Sequence, residues 1–468
     1  MKKKLAMSLA VVMLLLSACG GPASGGESSS SGQTDASGPS ADPAPSAGKN
    51  TIQFSPSATI EETVLVDESD VKITATGLSY TKRAVEVNLS IENNAGKNLS
   101  FRSGMKNYNC SSINRYMMDG GYLNTDVAAG KKANETLSFS ADELSLMGIT
   151  DIANIELCFY ICDEDRDDYL ETGPRQLKTS IADNYDYTVD TYRHTINNSD
   201  LLNSLGLSVI YSSEEEAFSQ GGVRIVTQTL ATNSDGEPAL LIELENTSNE
   251  IVRTVTSNVA INGLEFQDGT WSTDAIGPGK RRVSALTLSS ALDEHYQEIF
   301  GISEIGLVTY NLEIKDADYD TLGSPQILTL SVPGASTEHD ASGEELYQSN
   351  GLRIVSKGLM PDPFELSDDI HLLLLVENGS SEGLYFDIID DSISINGYMT
   401  DFLCFSNWVI PGNSAVLKVE LDSSSLEKNG VAKLEDITEI ELAVEVQDND
   451  YDTVADPVIT FAGKPALN

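Results

Sequence analysis

Three separate stretches of the chain carry the same two-residue rhythm, and each ends in a run of alternate aspartates. Val308, Tyr310, Leu312 and Ile314 are apolar while Thr309, Asn311 and Glu313 are polar, and Asp316, Asp318 and Asp320 continue the apolar parity. Ile440, Leu442, Val444 and Val446 alternate with Glu441, Ala443, Glu445 and Gln447 ahead of Asp448, Asp450 and Asp452. Ile155, Leu157, Phe159 and Ile161 lead into Asp163, Asp165 and Asp167. Successive side chains of a strand point to opposite faces, so period 2 over about eight residues specifies a strand with one buried face. If that strand simply ran on, three carboxylates would enter the core, which is prohibitively costly without partners. The strand must therefore end, bulge or leave the core at the aspartates, which places each cluster at a rim, in the last strand-to-strand connection.

Other landmarks recur in the same order. The openings "VKITATGL", "VRIVTQTL" and "LRIVSKGL" begin at Val71, Val223 and Leu352. A strand-like run then closes on Ile91-Glu92-Asn93, Leu244-Glu245-Asn246 or Val376-Glu377-Asn378. Ile113-Asn114, Ile261-Asn262-Gly263 and Ile395-Asn396-Gly397 follow, and then the glycine turns "VAAGKKAN", "IGPGKRRV" and "VIPGNSAV". Before each alternating strand lies a short helix signal. "SADELSLMG" has Ser140 and Glu143 in capping-box spacing and ends at Gly148; "SALDEHYQEIFG" repeats this with Ser290, Asp293 and Gly301; "DSSSLEKNG" ends at Gly430. An ordered set of landmarks found three times is an internal repeat.

Short strands separated by Gly- and Asn-rich turns predict an all-β fold: three tandem immunoglobulin-like β-sandwiches, each with one short crossover helix, after a disordered tether. The Cys…Trp…Cys core of antibody domains is missing, so the expectation concerns architecture. The copies are placed at 51–181, 207–333 and 334–468. Between the first two, 182–206 is polar and aromatic without a clear period and reads as a linker.

The N-terminus "MKKKLAMSLAVVMLLLSACGG" has a basic start and an apolar run of twelve residues from Leu5 to Leu16, interrupted only by Ser8. That is shorter than the about 20 residues a spanning helix needs. Leu16-Ser17-Ala18-Cys19 resembles the lipobox of bacterial lipoproteins, which implies a signal peptide at 1–18, cleavage before Cys19 and a diacylglycerol on the Cys19 thiol. In residues 20–49, twenty-four of thirty positions are Gly, Ala, Ser or Pro, and none is large and apolar. Such a segment cannot offset its ordering entropy, so 19–50 is expected to be a disordered tether reaching about 30 Å.

Loss of Lys2, Lys3 and Lys4 with the signal leaves 26 basic against 72 acidic residues, a net charge of −46. This disfavours nucleic acid and anionic lipid surfaces as partners held by charge. Besides Cys19 the chain has Cys110, Cys158, Cys162 and Cys404, which an exported protein can oxidise. The alternation puts Cys158 and Cys162 on the outer face of one strand. They would lie about 13 Å apart there, too far for a mutual disulfide. A pairing of Cys110 with Cys158 or with Cys162 stays open.

No G-x-S-x-G, H-E-x-x-H or P-loop motif is present. His194, His295, His339 and His371 show no metal-ligand spacing. The aspartate clusters leave two readings. Their D-x-D-x-D spacing resembles the start of an EF-hand, whose loop gathers 6–8 oxygens around Ca²⁺. The glycine expected at its sixth position is replaced by Thr321, Asp168 and Thr453. Alternatively the aspartates cap turn N–H groups and stay solvated. Turn chemistry is the favoured reading, and Arg166, in place of the tyrosine of the other two loops, disfavours a cation in the first copy.

Together the lipobox, the tether, "IENNAGKN", "VAAGKKANETLSFS" and "ITDIANIEL" resemble uncharacterised Gram-positive surface lipoproteins with immunoglobulin-like domains of unknown function. That resemblance implies a location and a fold, and transfers no site. The expectation is a non-catalytic binding or scaffolding module on the outer face of the cell membrane, held by its lipid, with a surface protein or glycan as partner. A solute-binding lipoprotein of a transport system, or a surface hydrolase, would be the alternatives.

Overall fold

The computed structural model describes residues 56–105, 108–266, 272–288, 294–363 and 367–466. Cys19, the signal and the tether lie outside them, as do Ser290 and Asp293 of the second helix signal. The fold is mostly β, built of antiparallel sheets with a few helices of six residues. It divides into two compact units: residues up to 210 with 231–236 and 280–285, and the remainder.

In the first unit the strands Thr63–Glu68, Val71–Tyr80, Ala84–Asn93 and Lys131–Ser140 lie side by side in that order. A second sheet sets Asp168–Glu171, Phe159–Asp163, Leu99–Ser103 and Asn124–Val127 in order. Their apolar faces enclose one core that includes Ile73, Val87, Leu89, Phe101, Phe139 and Phe159. The alternation is plain in Ala84–Asn93, where Val85, Val87, Leu89 and Ile91 are buried and Glu86, Asn88, Ser90 and Glu92 are half-buried. In the second unit, sheets through Leu352–Pro361, Ile370–Asn378 and Ser414–Leu421 and through Leu384–Ile388 and Ile440–Gln447 enclose a core of Ile354, Leu374, Phe386, Leu417 and Val444.

The predicted alternating strands form at Leu307–Lys315 and Ile440–Gln447. In the first copy the strand breaks at Cys158 into Asn154–Leu157 and Phe159–Asp163, which belong to different sheets. Cys158 is bonded to Cys110, their Cα atoms 5.9 Å apart, and its carbonyl accepts the Gly104 N–H. This break corrects the outer-face reading: Cys158 and Cys162 are both buried, and Cys162 is a free thiol.

The repeated asparagines are clips. Asn93, Asn246 and Asn378 are fully buried at strand ends. Each donates its amide to two carbonyls: Lys97 and Val127, Glu250 and Ile276, Glu382 and Val409, all at 2.8–2.9 Å. Each also accepts one N–H two residues on, from Ala95, Ser248 or Ser380. Asn114, Asn262 and Asn396 form a second set, at φ values of 48°, 52° and 53°, a left-handed conformation that asparagine tolerates. Their amides donate to the Asp151, Glu304 and Asp436 carbonyls, and their oxygens accept two successive N–H groups just before or at the start of the alternating strand. A buried amide with every bond made locks a loop more tightly than apolar packing would.

The helix signals are realised at Ala141–Leu146, Glu294–Ile299 and Ser423–Lys428. Ser140 accepts the Glu143 N–H, but the Glu143 carboxylate does not close the capping box; it accepts the Asp119 N–H at 2.8 Å instead. Within 182–206 stand two further helices, Thr191–Ile196 and Ser199–Ser204, and Tyr192, Ile196 and Leu202 join the core of the first unit. The absence of a clear period there reflects helices too short to show one.

Candidate functional site

The three aspartate loops share one geometry. Asp163, Asp316 and Asp448 each accept two N–H groups of their own loop on Oδ1, from Asp165 and Asp167, Asp318 and Asp320, and Asp450 and Asp452, at 2.9–3.1 Å. The backbone closes in the same way, with the first aspartate's N–H donating to the carbonyl of the third. Arg166, Tyr319 and Tyr451 take the left-handed position at φ 64–70°. Arg253 stacks 4.4 Å over the Tyr319 ring and Tyr385 stacks on Tyr451, which fixes two of these residues from outside the loop. Asp165, Asp167, Asp318, Asp320, Asp450 and Asp452 are exposed. Among the described residues no group of three His, Cys, Asp or Glu side chains is placed to hold a metal ion. In the first loop Lys97 Nζ lies 2.8 Å from Asp163 Oδ2, and this hydrogen-bonded ammonium holds the Asp163 carboxyl below the usual range.

More distinctive is a joint that the sequence pattern does not announce. The Ile-Asn landmark forms a tight hairpin, Ser112–Ile113 with Tyr116–Met117 in the first copy. Its outer strand is extended by a parallel neighbour that begins at the glycine turn of the next copy: Arg281 pairs with Tyr116, and the Arg281 N–H donates to the Arg115 carbonyl at 2.8 Å. The arrangement recurs one copy later. Leu264–Phe266 pairs in parallel with Ser414–Val416, and the Ser414 N–H donates to the Gly263 carbonyl at 2.9 Å.

Side chains reinforce both joints. At the first, Lys280, Arg281 and Arg282 bind Glu156, Asp190 and Asp119 in turn. At the second, Glu265 is buried and accepts from the Asn413 amide at 3.0 Å and the Ile410 N–H at 3.3 Å. Burial pushes its carboxyl up to about 7. Asn258 donates to the Trp408 carbonyl at 3.0 Å. The signal in the sequence is the basic triplet in "IGPGKRRV" together with Glu265 in "GLEF", but neither names its partner without the fold.

The first unit also holds a cleft of about 280 Å³ lined by Ser145, Thr150, Thr191, His194, Thr195 and Asn198 among others. Among the described residues lining it, His194 is the one titratable side chain. Of the remaining histidines, His339 bonds the Asn262 carbonyl and His371 is buried, with burial lowering its pKa. No described helix is long and apolar enough to cross a membrane.

No family model matches the chain, and no curated protein matches it. Among solved structures, a protein of unknown function from Porphyromonas gingivalis W83 is similar at 11% identity and a TM-score of 0.14, over 56% of this chain and all of that one. A second, described in connection with host cell surface retention of a 1.5-MDa bacterial ice-binding adhesin, is similar at 11% identity and a TM-score of 0.15, over 82% of this chain and 91% of that one.

Proposed function

We propose that the chain is a lipoprotein of the bacterial cell envelope, anchored through Cys19 to the outer face of the membrane. On this reading it carries three tandem immunoglobulin-like sandwiches that act as a non-catalytic scaffold or binding module. The observation that carries the reading is the joint made twice, Arg281 on Arg115 and Ser414 on Gly263, by the same landmark each time. Each joint lies within one compact unit, where backbone hydrogen bonds and buried side chains hold the landmarks of successive copies together, a construction suited to presenting a surface rather than closing on a small molecule. The acidic balance and the absence of catalytic motifs in the sequence agree with that use.

Proteinase treatment of intact cells tests the placement, with Cys19→Ala beside the wild type. The expected result is digestion of the wild type on the cell surface and release of the variant into the medium. A chain protected until lysis would refute the placement.

A further inference from the structure

The third copy builds the same hairpin and sets no strand beside it: the Asn429 amide donates to the Met399 carbonyl at 2.9 Å, while Gly397 and Tyr398 stay exposed. Ser394–Ile395 pairs with Tyr398–Met399, and Ile395 lies against Ile440 as Ile113 lies against Ile155. Among the described residues no strand pairs with the outer side of Tyr398–Met399. The consequence is visible in exposure: Tyr116 and Leu264, which hold this position in the two closed joints, are 4% and 0% exposed, whereas Tyr398 and Met399 are 58% and 59% exposed.

The first copy has the complementary vacancy. Lys131–Ser140 is the edge strand of its sheet, paired with Ala84–Asn93. Lys132 stands opposite Glu92 as Ser414 stands opposite Glu377. Its far half is covered, because the Gly121 N–H donates to the Ser138 carbonyl, just as Phe402–Leu403 covers Glu420–Leu421 in the third copy. The near half, Lys131–Glu135, is the segment that receives a hairpin in the other two copies.

Charge matches as well. Glu156, which binds Lys280 in the first joint, lies between Ser112 and Gln176 on neighbouring strands; Glu441 lies between Ser394 and Thr460 in the same way. Glu441 is exposed. Lys131 follows Gly130 as Lys280 follows Gly279. The open hairpin thus carries the acid, and the open edge carries the base.

We propose that a second copy of this chain closes the open joint: the hairpin strand Tyr398–Met399 of one copy adds in parallel to Lys131–Glu135 of the next, with Lys132 N–H donating to the Gly397 carbonyl and Lys131 pairing with Glu441. The surface on one copy differs from that on the other, so the contact is heterologous and joins chains head to tail; the proposal is that it propagates as an open string and does not close into a ring. It is weaker than the internal joints, because Ala133 and Asn134 stand where the second copy has Arg282 and Val283. The inference rests on the reading of three tandem copies, and it does not depend on the membrane anchor.

The competing view is that lysines on an edge strand guard it against pairing. Sedimentation velocity on the full mature chain carrying Cys19→Ser decides between them, over roughly 1 µM to 1 mM. The expected result is a sedimentation coefficient that climbs with concentration past the dimer. Lys132→Pro removes the donor N–H at an edge position that tolerates proline, and should move the onset about tenfold higher. Glu441→Lys should do the same, and Lys131→Glu added to Glu441→Lys should restore association. Melting curves matching the parent chain confirm that each variant is folded. A monomer at every concentration, a plateau at dimer, or association indifferent to Lys132→Pro and Glu441→Lys would each overturn the proposal. None of these outcomes bears on surface placement, which the proteinase experiment reads separately.

Discussion

Lys280 Nζ stands 3.0 Å from Glu156 Oε1, with only about a tenth of either side chain open to solvent. Removing one member of such a pair strands the other charge, whereas removing both relieves the desolvation of each. Lys280→Met should therefore destabilise the chain by about 3 kcal/mol, and adding Glu156→Gln should recover most of that loss. Urea denaturation of the two single variants and the double variant measures the coupling.

Glu265 and Glu143 are both held near 7 by burial, well above their value of 4.5 in an unfolded chain. Between those two pH values the folded state binds more protons than the unfolded one, so stability falls as pH rises from about 4.5 to about 7 and then levels. Each group contributes up to about 3 kcal/mol to this slope. Glu265→Gln should flatten its share, and the dependence of the unfolding free energy on pH reads the change.

Asp448 holds the N–H groups of Asp450 and Asp452. Asp448→Ala should cost about 1–2 kcal/mol, the usual loss when an N-cap-like acceptor is removed. Thermal melts should show the same loss with and without millimolar calcium, and calcium should leave the wild-type melting temperature unchanged. A calcium-dependent rise that Asp448→Ala, Asp316→Ala or Asp163→Ala abolishes would instead assign the loops to a cation.

The Cys110–Cys158 bond closes 48 residues of chain. A loop of that size restricts the unfolded state by about 4 kcal/mol on the chain-entropy account. Cys110→Ala with Cys158→Ala should lower stability by up to that amount, and thiol counting on the unfolded wild type should find the thiols of Cys162 and Cys404 reactive.

The strand rhythm was legible in the sequence because burial on one face imposes period 2 directly on residue type, as in Ile440 to Val446. The end of each of those strands at its aspartates was legible for the same reason: carboxylates of core parity cannot be buried. Two things were not legible. The break at Cys158 came from a covalent partner 48 residues away and from a change of sheet, neither of which disturbs the alternation itself. The joints were hidden because parallel pairing uses backbone groups, which every residue has. Only the accompanying Lys280, Arg281 and Arg282 left a trace, and a basic triplet sits equally well on a solvated surface.

In both closed joints the hairpin comes from the earlier copy and the receiving strand from the later one. A chain that emerges N-terminus first therefore exposes the finished hairpin, already clipped by Asn114 or Asn262, before the residues that will lie against it have emerged. Each folded copy can then serve as a template on which its successor is laid down, so the direction in which the chain emerges would set the order of assembly.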